Sequence, residues 1–351
     1  MPTDNVSHPR SRLLPAPPLP RWFRAAGWIG LRLGSGIVDH DLPGSQYAGR
    51  TVSFGAPEVR RRFAGGVGVD AAGFPVWTPV ARAVVRLPEP DPDLTLDEVR
   101  VVDILAANAV LAGGPSAPTP PGWTWAHAGG TRELALVPVE LHAAYRHAGG
   151  MSTLTVHRPE RGLRIDYAPR PVHPVRSGAI PDDLLVDLER RLGYPLPPRY
   201  RRFLAGTDGA TPDPGGVLRG YGFLADQRFF GLGRDDPAQH LIGANRYVAD
   251  RFTPDLLAIG YVQGGTLLVR VQGGDSGSIW YWDDDDPRAT REDDAEVIRT
   301  DLLHRCADDI DELWDRLQVP ARELLDLAGE LVRTGAVRAV DRPAPEDRLA
   351  R

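Results

Sequence analysis

The chain of 351 residues contains no lysine, so all 41 of its basic residues are arginines, and its only cysteine is Cys306. One cysteine cannot form an internal disulfide, so packed cores must stabilise the fold. Cys306 lies among apolar positions with helical spacing, which predicts a buried thiol on a helix rather than a nucleophile. No apolar run approaches the ~20 residues that a membrane helix needs. Prolines interrupt the N-terminus where a signal peptide has its apolar segment. We therefore expect a cytoplasmic protein without membrane contact.

Charge is distributed unevenly along the chain. Residues 1–150 carry 14 arginines against 13 acidic residues, whereas residues 180–320 carry 16 arginines against 26 acidic residues. An acidic surface repels nucleic acid and attracts basic proteins. The charge pattern therefore predicts two regions of different character and a basic protein, not nucleic acid, as the partner.

Composition and hydrophobic pattern divide the chain into a disordered Pro-rich N-terminus, a first domain, a connector, a second domain, and a C-terminal helix with a tail. These segments are residues 1–21, 22–150, 151–179, 180–320 and 321–351. The first domain is turn-rich, with strands predicted at Val84–Leu87 and Leu134–Val137. Its clearest helix starts at an N-cap, Thr95, with Glu98 placed to complete a capping box, and it stops at two glycines. A second helix is predicted from Pro138 to Gly149–Gly150.

The second domain has the order helix, helix, strand meander, helix. Residues 180–197 form an amphipathic pattern in which Leu184, Leu185, Leu188 and Leu192 share a face, and a second helix follows over residues 197–209. Three strand-like runs, "DLLAIGYV", "GTLLVRVQ" and "GSIWYWDD", are separated by glycine turns, and the acidic helix "ADDIDELWDRL" closes the domain. This order predicts an α+β fold with helices packed on an antiparallel sheet.

An acidic run follows the aromatic end of the third strand. Aromatic side chains beside dense negative charge suit recognition of a basic protein surface. The residues predicted to bind a partner are Trp280, Trp282, Asp283, Asp284, Asp285 and Asp286. The alternative is a solvated loop that only keeps the domain soluble. A calcium site is not favoured, because the run lacks the spaced ligands, central glycine and closing glutamate of a calcium loop.

Residues 180–317 resemble the SUKH superfamily through weak elements whose order and spacing are together specific. These elements are Leu184, Leu188, Glu189, Leu192–Gly193, Leu196–Pro197, Tyr200, Phe203–Leu204, Gly209, Ile259–Gly260, Gly264–Gly265, Leu267–Val269, Gly277, Ile279–Trp282, Ala307–Ile310 and Leu313. The resemblance implies a binding scaffold that in bacteria mostly serves as an immunity protein. Such proteins neutralise polymorphic toxins, which are often nucleases.

Residues 47–150 resemble toxin nucleases of the HNH/endonuclease VII type that carry a Trp-His-His motif. The matching positions are Tyr47–Gly49, Gly65–Val67, Asp70, Gly73–Pro75, Pro79, Ala81, Asp103, Ala107–Asn108, Gly122–Trp125, Leu136–Pro138, Leu141–His142, His147 and Gly149–Gly150. The resemblance implies a ββα-metal domain that hydrolyses phosphodiesters with a divalent metal.

In such a site the first histidine after the tryptophan binds the metal and the next activates water. By position, His127 would be the general base, and His142 and His147 the helix-side metal-associated pair. Ala126 stands at the first-histidine position. Alanine cannot ligate, and two histidines five residues apart converge only if their helix ends near Ala148–Gly149. The N-terminal domain is therefore expected to be a degenerate nuclease with an incomplete site, so that no cofactor is expected. A divalent metal would bind only if the site is active.

Three functions fit these observations. The favoured one is an immunity or antitoxin-like protein whose second domain binds a basic toxin, with the nuclease-like half inactive. The second is a metal-dependent nuclease that carries its own inhibitor domain. The third is a regulatory scaffold with no toxin involved. In the first and third, the three histidines are structural or surface residues on an inherited scaffold.

Overall fold

The computed structural model describes residues 42–53, 57–143, 146–156, 158, 162–166 and 169–340. The segment 1–21, predicted to be disordered, lies outside these residues, as does the end of the C-terminal tail. The described chain has the predicted α+β composition, with small antiparallel sheets and helices in both halves. Among the described helices, none combines the length and apolar character needed to cross a bilayer.

The first half builds two small sheets around one long helix. Its elements are β1 (Thr51–Val52), α1 (Pro57–Arg62), β2 (Val67–Val69), β3 (Pro75–Val76), β4 (Ala83–Arg86), α2 (Leu96–Ala112), β5 (Trp123–His127), β6 (Glu133–Pro138) and α3 (Val139–Ala143). Short 3-10 helices lie at Ser45–Tyr47 and Gly150–Thr153. Strands β1, β2 and β3 form one antiparallel sheet, and β5 and β6 form a hairpin that continues into β4.

Helix α2 begins and ends where the sequence predicts. The Thr95 side chain accepts a hydrogen bond from the Glu98 backbone N–H, and the Glu98 carboxylate accepts one from the Thr95 N–H, which confirms the capping box. Gly113 ends the helix with φ of 81°, a left-handed conformation that glycine adopts without strain. The helix is buried on several sides, so that even Arg100 and Asp103 are at most 3% exposed. It therefore places charged side chains inside the molecule.

The second half is an α+β unit built on a four-stranded meander. Its elements are β7 (His173–Val175), α4 (Asp182–Leu192), α5 (Pro198–Thr207), β8 (Thr211–Asp213), β9 (Gly216–Val217), β10 (Leu224–Ala225), α6 (Leu241–Tyr247), β11 (Leu256–Val262), β12 (Gly265–Arg270), β13 (Ile279–Asp283), α7 (Ala295–Val297), a π-helical turn (Ile298–Leu302), β14 (Leu303–Ala307) and α8 (Ile310–Arg316). The three predicted meander strands are confirmed as β11, β12 and β13, and β14 pairs with β13 as a fourth.

Two local predictions in this half are corrected. Cys306 lies on strand β14 and not on a helix, because the acidic helix α8 begins only at Ile310. Its thiol is completely buried, and burial raises its pKa, so it is a core residue as predicted. In α4, Leu185 and Leu188 are buried, but Leu184 is 50% exposed and lies off the packed face.

The C-terminal segment returns to the first half. Helix α9 (Arg322–Arg333) packs against α2, and strand β15 (Arg338–Ala339) pairs with β4, so the predicted polar tail contains a strand. Side chains of both halves also belong to one buried apolar cluster, which includes Val137 and Leu141 of the first half and Leu267 of the second. The two halves are therefore joined by a continuous core.

Candidate functional site

A recess lies where the first half meets the end of strand β13. Its cavity volume is about 20 Å³, which is room for about one water molecule. The three histidines of the nuclease-like motif line it together with side chains from the acidic run of the second half. The lining residues used below are Trp77, Arg100, Ala126, His127, His142, His147, Gly149, Asp284 and Asp285. Two features that the sequence predicted as separate sites thus form one site.

His127 is held by a carboxylate from helix α2. Its Nε2 lies 3.0 Å from Asp103 Oδ2, and Arg132 donates two hydrogen bonds of 2.9 and 2.8 Å to the two oxygens of the same carboxylate. His127 is 9% exposed, and its Nδ1 makes no hydrogen bond to the described residues. A carboxylate on one ring nitrogen fixes the orientation of the imidazole. Asp103 and Arg132 therefore hold the His127 ring in place.

His142 and His147 meet although the predicted helix does not extend to His147. The helix comprises Val139–Ala143, and residues 146–149 have no regular structure, so the prediction of a helix to Gly149–Gly150 is wrong. The His142 and His147 rings lie 4.7 Å apart, edge to face, and both contact the Trp77 ring, at 5.4 and 5.1 Å. Burial, with a smaller contribution from His147, holds the pKa of His142 well below its ordinary value. His142 is therefore a neutral imidazole in an aromatic cluster.

Few metal-ligating side chains come together around these histidines. No group of three or more histidine, cysteine, aspartate or glutamate side chains converges in metal-binding geometry within the part of the chain that the structure describes. Ala126 is 4% exposed and supplies no ligand atom. His142 has Asp284 as its nearest carboxylate, with 3.9 Å between Nδ1 and Oδ2, and the two histidine rings are nearly perpendicular. We therefore derive no metal-dependent step from this site.

Arg100 enters the same region from helix α2, and every hydrogen bond or ion pair that its side chain makes with described residues goes to the second half. Its Nη2 lies 2.9 Å from Asp283 Oδ1 and 3.5 Å from Asp285 Oδ2. Its Nη1 donates to the Gly222 carbonyl at 2.9 Å and to the Tyr281 hydroxyl at 3.3 Å. Burial opposes the charge of Arg100, but Asp283 and the neighbouring oxygens hold its pKa well above the ordinary value. We call Arg100, Asp283 and Asp285 the ionic contact.

The acidic run is inside the molecule rather than on an exposed loop. Asp283, Asp285 and Asp286 are 2%, 8% and 3% exposed. Burial raises the pKa of Asp284 to about 7 and also raises that of Asp285. Burial opposes ionisation of Asp286 as well, but hydrogen bonds from His304 and Arg288 lower its pKa. Three of the four carboxylates predicted to face a separate partner are therefore paired within this chain, and among the described residues Asp284 approaches only His142.

The two predicted tryptophan anchors are also engaged internally. Trp282 is 4% exposed, and its ring lies edge-on to Phe252 at 5.5 Å, with the Arg251 guanidinium 5.5 Å from its centre. Trp280 is half-buried under the guanidinium of Arg270, at 4.8 Å. Neither ring projects as a free anchor in this structure.

A second polar contact joins the halves beside the recess. Asn108 Oδ1 accepts hydrogen bonds from Trp125 Nε1 at 2.7 Å and from Thr119 Oγ1 at 3.2 Å. The Gln263 side chain accepts from the Trp125 backbone N–H at 3.0 Å and donates to Asp226 Oδ1 at 3.1 Å, and Asp226 Oδ2 accepts from the Thr119 N–H at 2.8 Å. We call Asn108, Thr119, Trp125, Asp226 and Gln263 the amide contact. All five residues are at most 4% exposed.

Arg100, Arg132, Asp226 and Gln263 were not predicted as site residues. A signal for Arg100 was available, because Asp97, Arg100 and Asp103 recur every three residues within an otherwise apolar helix. Charged residues at that spacing on a helix with a buried pattern indicate that their partners lie in the interior. Nothing in the local sequence indicated Gln263.

Comparisons with known proteins agree with this division. Residues 115–157 match the family described as a nuclease of the HNH/ENDO VII superfamily with conserved WHH. Residues 179–315 match the SMI1/KNR4 family (SUKH-1). A search of curated proteins found no match. Trp125, Ala126 and His127 lie within the first match, and the acidic run lies within the second. The chain thus joins a domain similar to the WHH nucleases, in its N-terminal half, to a domain similar to the SUKH-1 family, and both resemblances predicted from the sequence are confirmed.

Proposed function

We propose that this chain is an immunity-type binding protein whose SUKH domain recognises nuclease domains of the WHH type. In this proposal the WHH-like half of the chain is catalytically inactive and covers the surface with which the SUKH domain recognises other nucleases. The observation that carries the proposal is the ionic contact, in which Asp283 and Asp285 of the SUKH domain pair with Arg100 and Asp285 also lines the histidine recess. The proposed partner in trans is a basic toxin nuclease.

The chemistry of this contact supports recognition of a nuclease. Buried charge pairs at the centre of an interface fix its register and exclude unsuitable partners. The acidic run lies opposite the side chains that a nuclease of this family would use, so that covering them would block access to substrate. The missing ligand at Ala126 supports a silent WHH-like half, because metal-dependent hydrolysis needs the charge of the ion.

The proposal is tested by inhibition in trans. Purified full-length chain is titrated into an active WHH-type nuclease, and plasmid and RNA cleavage is measured. The Asp283→Asn/Asp285→Asn variant should inhibit at least about tenfold more weakly than wild type, because it lacks the recognising charges. The Arg100→Met variant should inhibit more strongly, because the internal competitor is weakened.

Arg86→Met serves as the matched control, since Arg86 is an exposed arginine paired with Glu133 on the first half. Its inhibition should equal that of wild type. Absence of inhibition by both wild type and Arg100→Met would contradict the proposal.

A second function is favoured by the intact pair of Asp103 and His127, whose geometry suits proton transfer. In this alternative the chain is a nuclease that its own SUKH domain keeps covered. Plasmid and RNA cleavage with magnesium, nickel or zinc separates the two functions, with wild type, His127→Ala and Ala126→His compared. Cleavage by wild type that His127→Ala abolishes would overturn the binding-protein proposal. Activity that appears only in Ala126→His would support a silent site.

A further inference from the structure

Arg100 is a buried cation of the nuclease-like half whose ion-pair partners, Asp283 and Asp285, come from the other half. Its contacts with described residues go to Gly222, Tyr281, Asp283 and Asp285. In the WHH-like half, Arg100 and the carboxylate-held His127 line the same recess. A guanidinium beside a histidine with a free ring nitrogen is an arrangement that binds phosphate oxygens, because the planar fork of arginine matches two oxygens of one anion.

The two aspartates place anionic oxygens where such a phosphate would lie. Asp285 reaches the recess between Arg100 and Gly149, and a side chain at Gly149 would fill its place, since a Cβ there would lie 2.0 Å from Asp285 Oδ1. The fit is incomplete as an ion pair. Arg100 Nε and Asp285 Oδ1 are buried, and neither has a hydrogen-bond partner among the described residues. A phosphodiester, with more oxygens spread over a tetrahedron, could satisfy both the guanidinium and the histidine.

We propose that Arg100 is a phosphate-binding residue of the nuclease-like site, and that Asp283 and Asp285 stand in for the phosphodiester of a nucleic acid. The inference rests on the proposed function, in which the SUKH domain recognises this site. It adds the reason for that recognition. The acidic run presents negative charge to the nuclease-like site, as the phosphates of a nucleic-acid substrate would. The wild-type chain therefore does not bind nucleic acid, because its phosphate position is filled from within.

The experiment measures binding of a fluorescein-labelled DNA oligonucleotide to the full-length chain by anisotropy. Asp283→Ala/Asp285→Ala removes both charges and shortens the side chains that cover Arg100, which is 2% exposed in wild type, and it should bind the oligonucleotide at least about tenfold more tightly than wild type. Adding Arg100→Gln to this variant should abolish the gain. An oligonucleotide with uncharged methylphosphonate linkages should show no gain. Inorganic phosphate should compete with the labelled oligonucleotide at concentrations at which chloride does not.

The matched control is Asp183→Ala/Asp301→Ala, which removes the same charge from two exposed positions. It should bind like wild type. If the double variant at 283 and 285 does not fold, as judged by circular dichroism, Asp285→Ala alone is used, because Asp285 is the more weakly paired of the two. It should bind about threefold more tightly than wild type, since one counter-charge of Arg100 remains.

A folded variant that binds no more tightly than wild type would overturn the inference, and so would a gain that survives Arg100→Gln. Neither result bears on inhibition of a nuclease in trans, which is measured without this oligonucleotide. If inhibition holds and the oligonucleotide does not bind, only the phosphate assignment fails.

Discussion

The ionic contact and the amide contact lie beside each other between the same two halves, but they differ in how completely their polar atoms are satisfied. In the amide contact, each buried side-chain nitrogen and oxygen has a hydrogen-bond partner, from Trp125 Nε1 to the two oxygens of Asp226. In the ionic contact, Arg100 Nε and Asp285 Oδ1 are buried without a partner among the described residues.

Buried polar groups in folded proteins are almost always paired, and the exceptions indicate strain or a functional site. The amide contact therefore has the character of a structural joint, which sets how the halves are arranged. The ionic contact is the less completely satisfied of the two, in agreement with the proposal that Arg100 is a phosphate-binding residue. The predictions below test this distinction, starting with the largest expected effect.

Replacing Arg100 with methionine should cost the most stability. The change leaves Asp283 and Asp285 buried without their counter-ion, and breaking a buried ion pair from one side typically costs about 3–5 kcal/mol. We expect a loss of this size in the free energy of unfolding in urea at neutral pH. Adding Asp283→Asn/Asp285→Asn should recover part of it, because the uncompensated charges are removed.

Arg86→Met provides the scale for this experiment, because Arg86 forms an exposed pair with Glu133 whose loss should cost no more than about 1 kcal/mol. Equal losses of unfolding free energy in Arg100→Met and Arg86→Met would show that the ionic contact stabilises the fold no more than an exposed ion pair does. The distinction between the two contacts would then fail.

Replacing Asn108 with alanine should have the next largest effect. It leaves Trp125 Nε1 and Thr119 Oγ1 buried without their acceptor, and each such loss costs about 1–3 kcal/mol. We expect a loss of about 2–3 kcal/mol in urea unfolding. The loss should be the same in low and high salt, since no ion pair is removed. A loss that shrinks in 1 M salt would assign an ionic role to the amide contact.

Replacing Asp284 with asparagine should stabilise the chain, and by more at higher pH. Burial raises the pKa of Asp284 from 3.8 to about 7. Between these two pH values the folded state keeps a proton that the unfolded state has released. Stability therefore falls as the pH rises through this range. The full shift corresponds to about 4 kcal/mol. The side chain is 20% exposed, so solvent screening reduces our expectation to about 2 kcal/mol at pH 8.

At pH 5 the advantage of Asp284→Asn over wild type should be smaller than at pH 8 but not zero, because the unfolded state already releases this proton above its pKa of 3.8. Asp286→Asn is the control on the same run of residues. Hydrogen bonds from His304 and Arg288 outweigh its burial and lower the pKa of Asp286, so its charge stabilises the fold at both pH values. That variant should be less stable than wild type at pH 5 and at pH 8. A constant effect of Asp284→Asn across this range would contradict the raised pKa.

Much of the local structure could be predicted because its causes are local. Thr95 and Glu98 form a capping box whatever surrounds them, and the alternation of apolar residues around short glycine turns is enough to indicate the meander. The family resemblances likewise depend on residues read in order. The length of the helix at His142 was predicted wrongly, because the glycines that mark helix ends stand several residues after the helix gives way to irregular chain.

The amino-acid sequence by itself determined the α+β class and the order of the two domains, and it predicted an incomplete nuclease site at Ala126. Tertiary structure decided that the acidic run is buried, that His142 and His147 meet, and that Arg100 is their neighbour in one recess. The physical reason is distance along the chain. Arg100 and Asp283 are 183 residues apart. The order of charges along the sequence does not predict which acidic residue the fold will bring close to Arg100. Local hydrogen bonds and hydrophobic spacing define the elements, whereas long-range packing selects the pairs that give this site its chemistry.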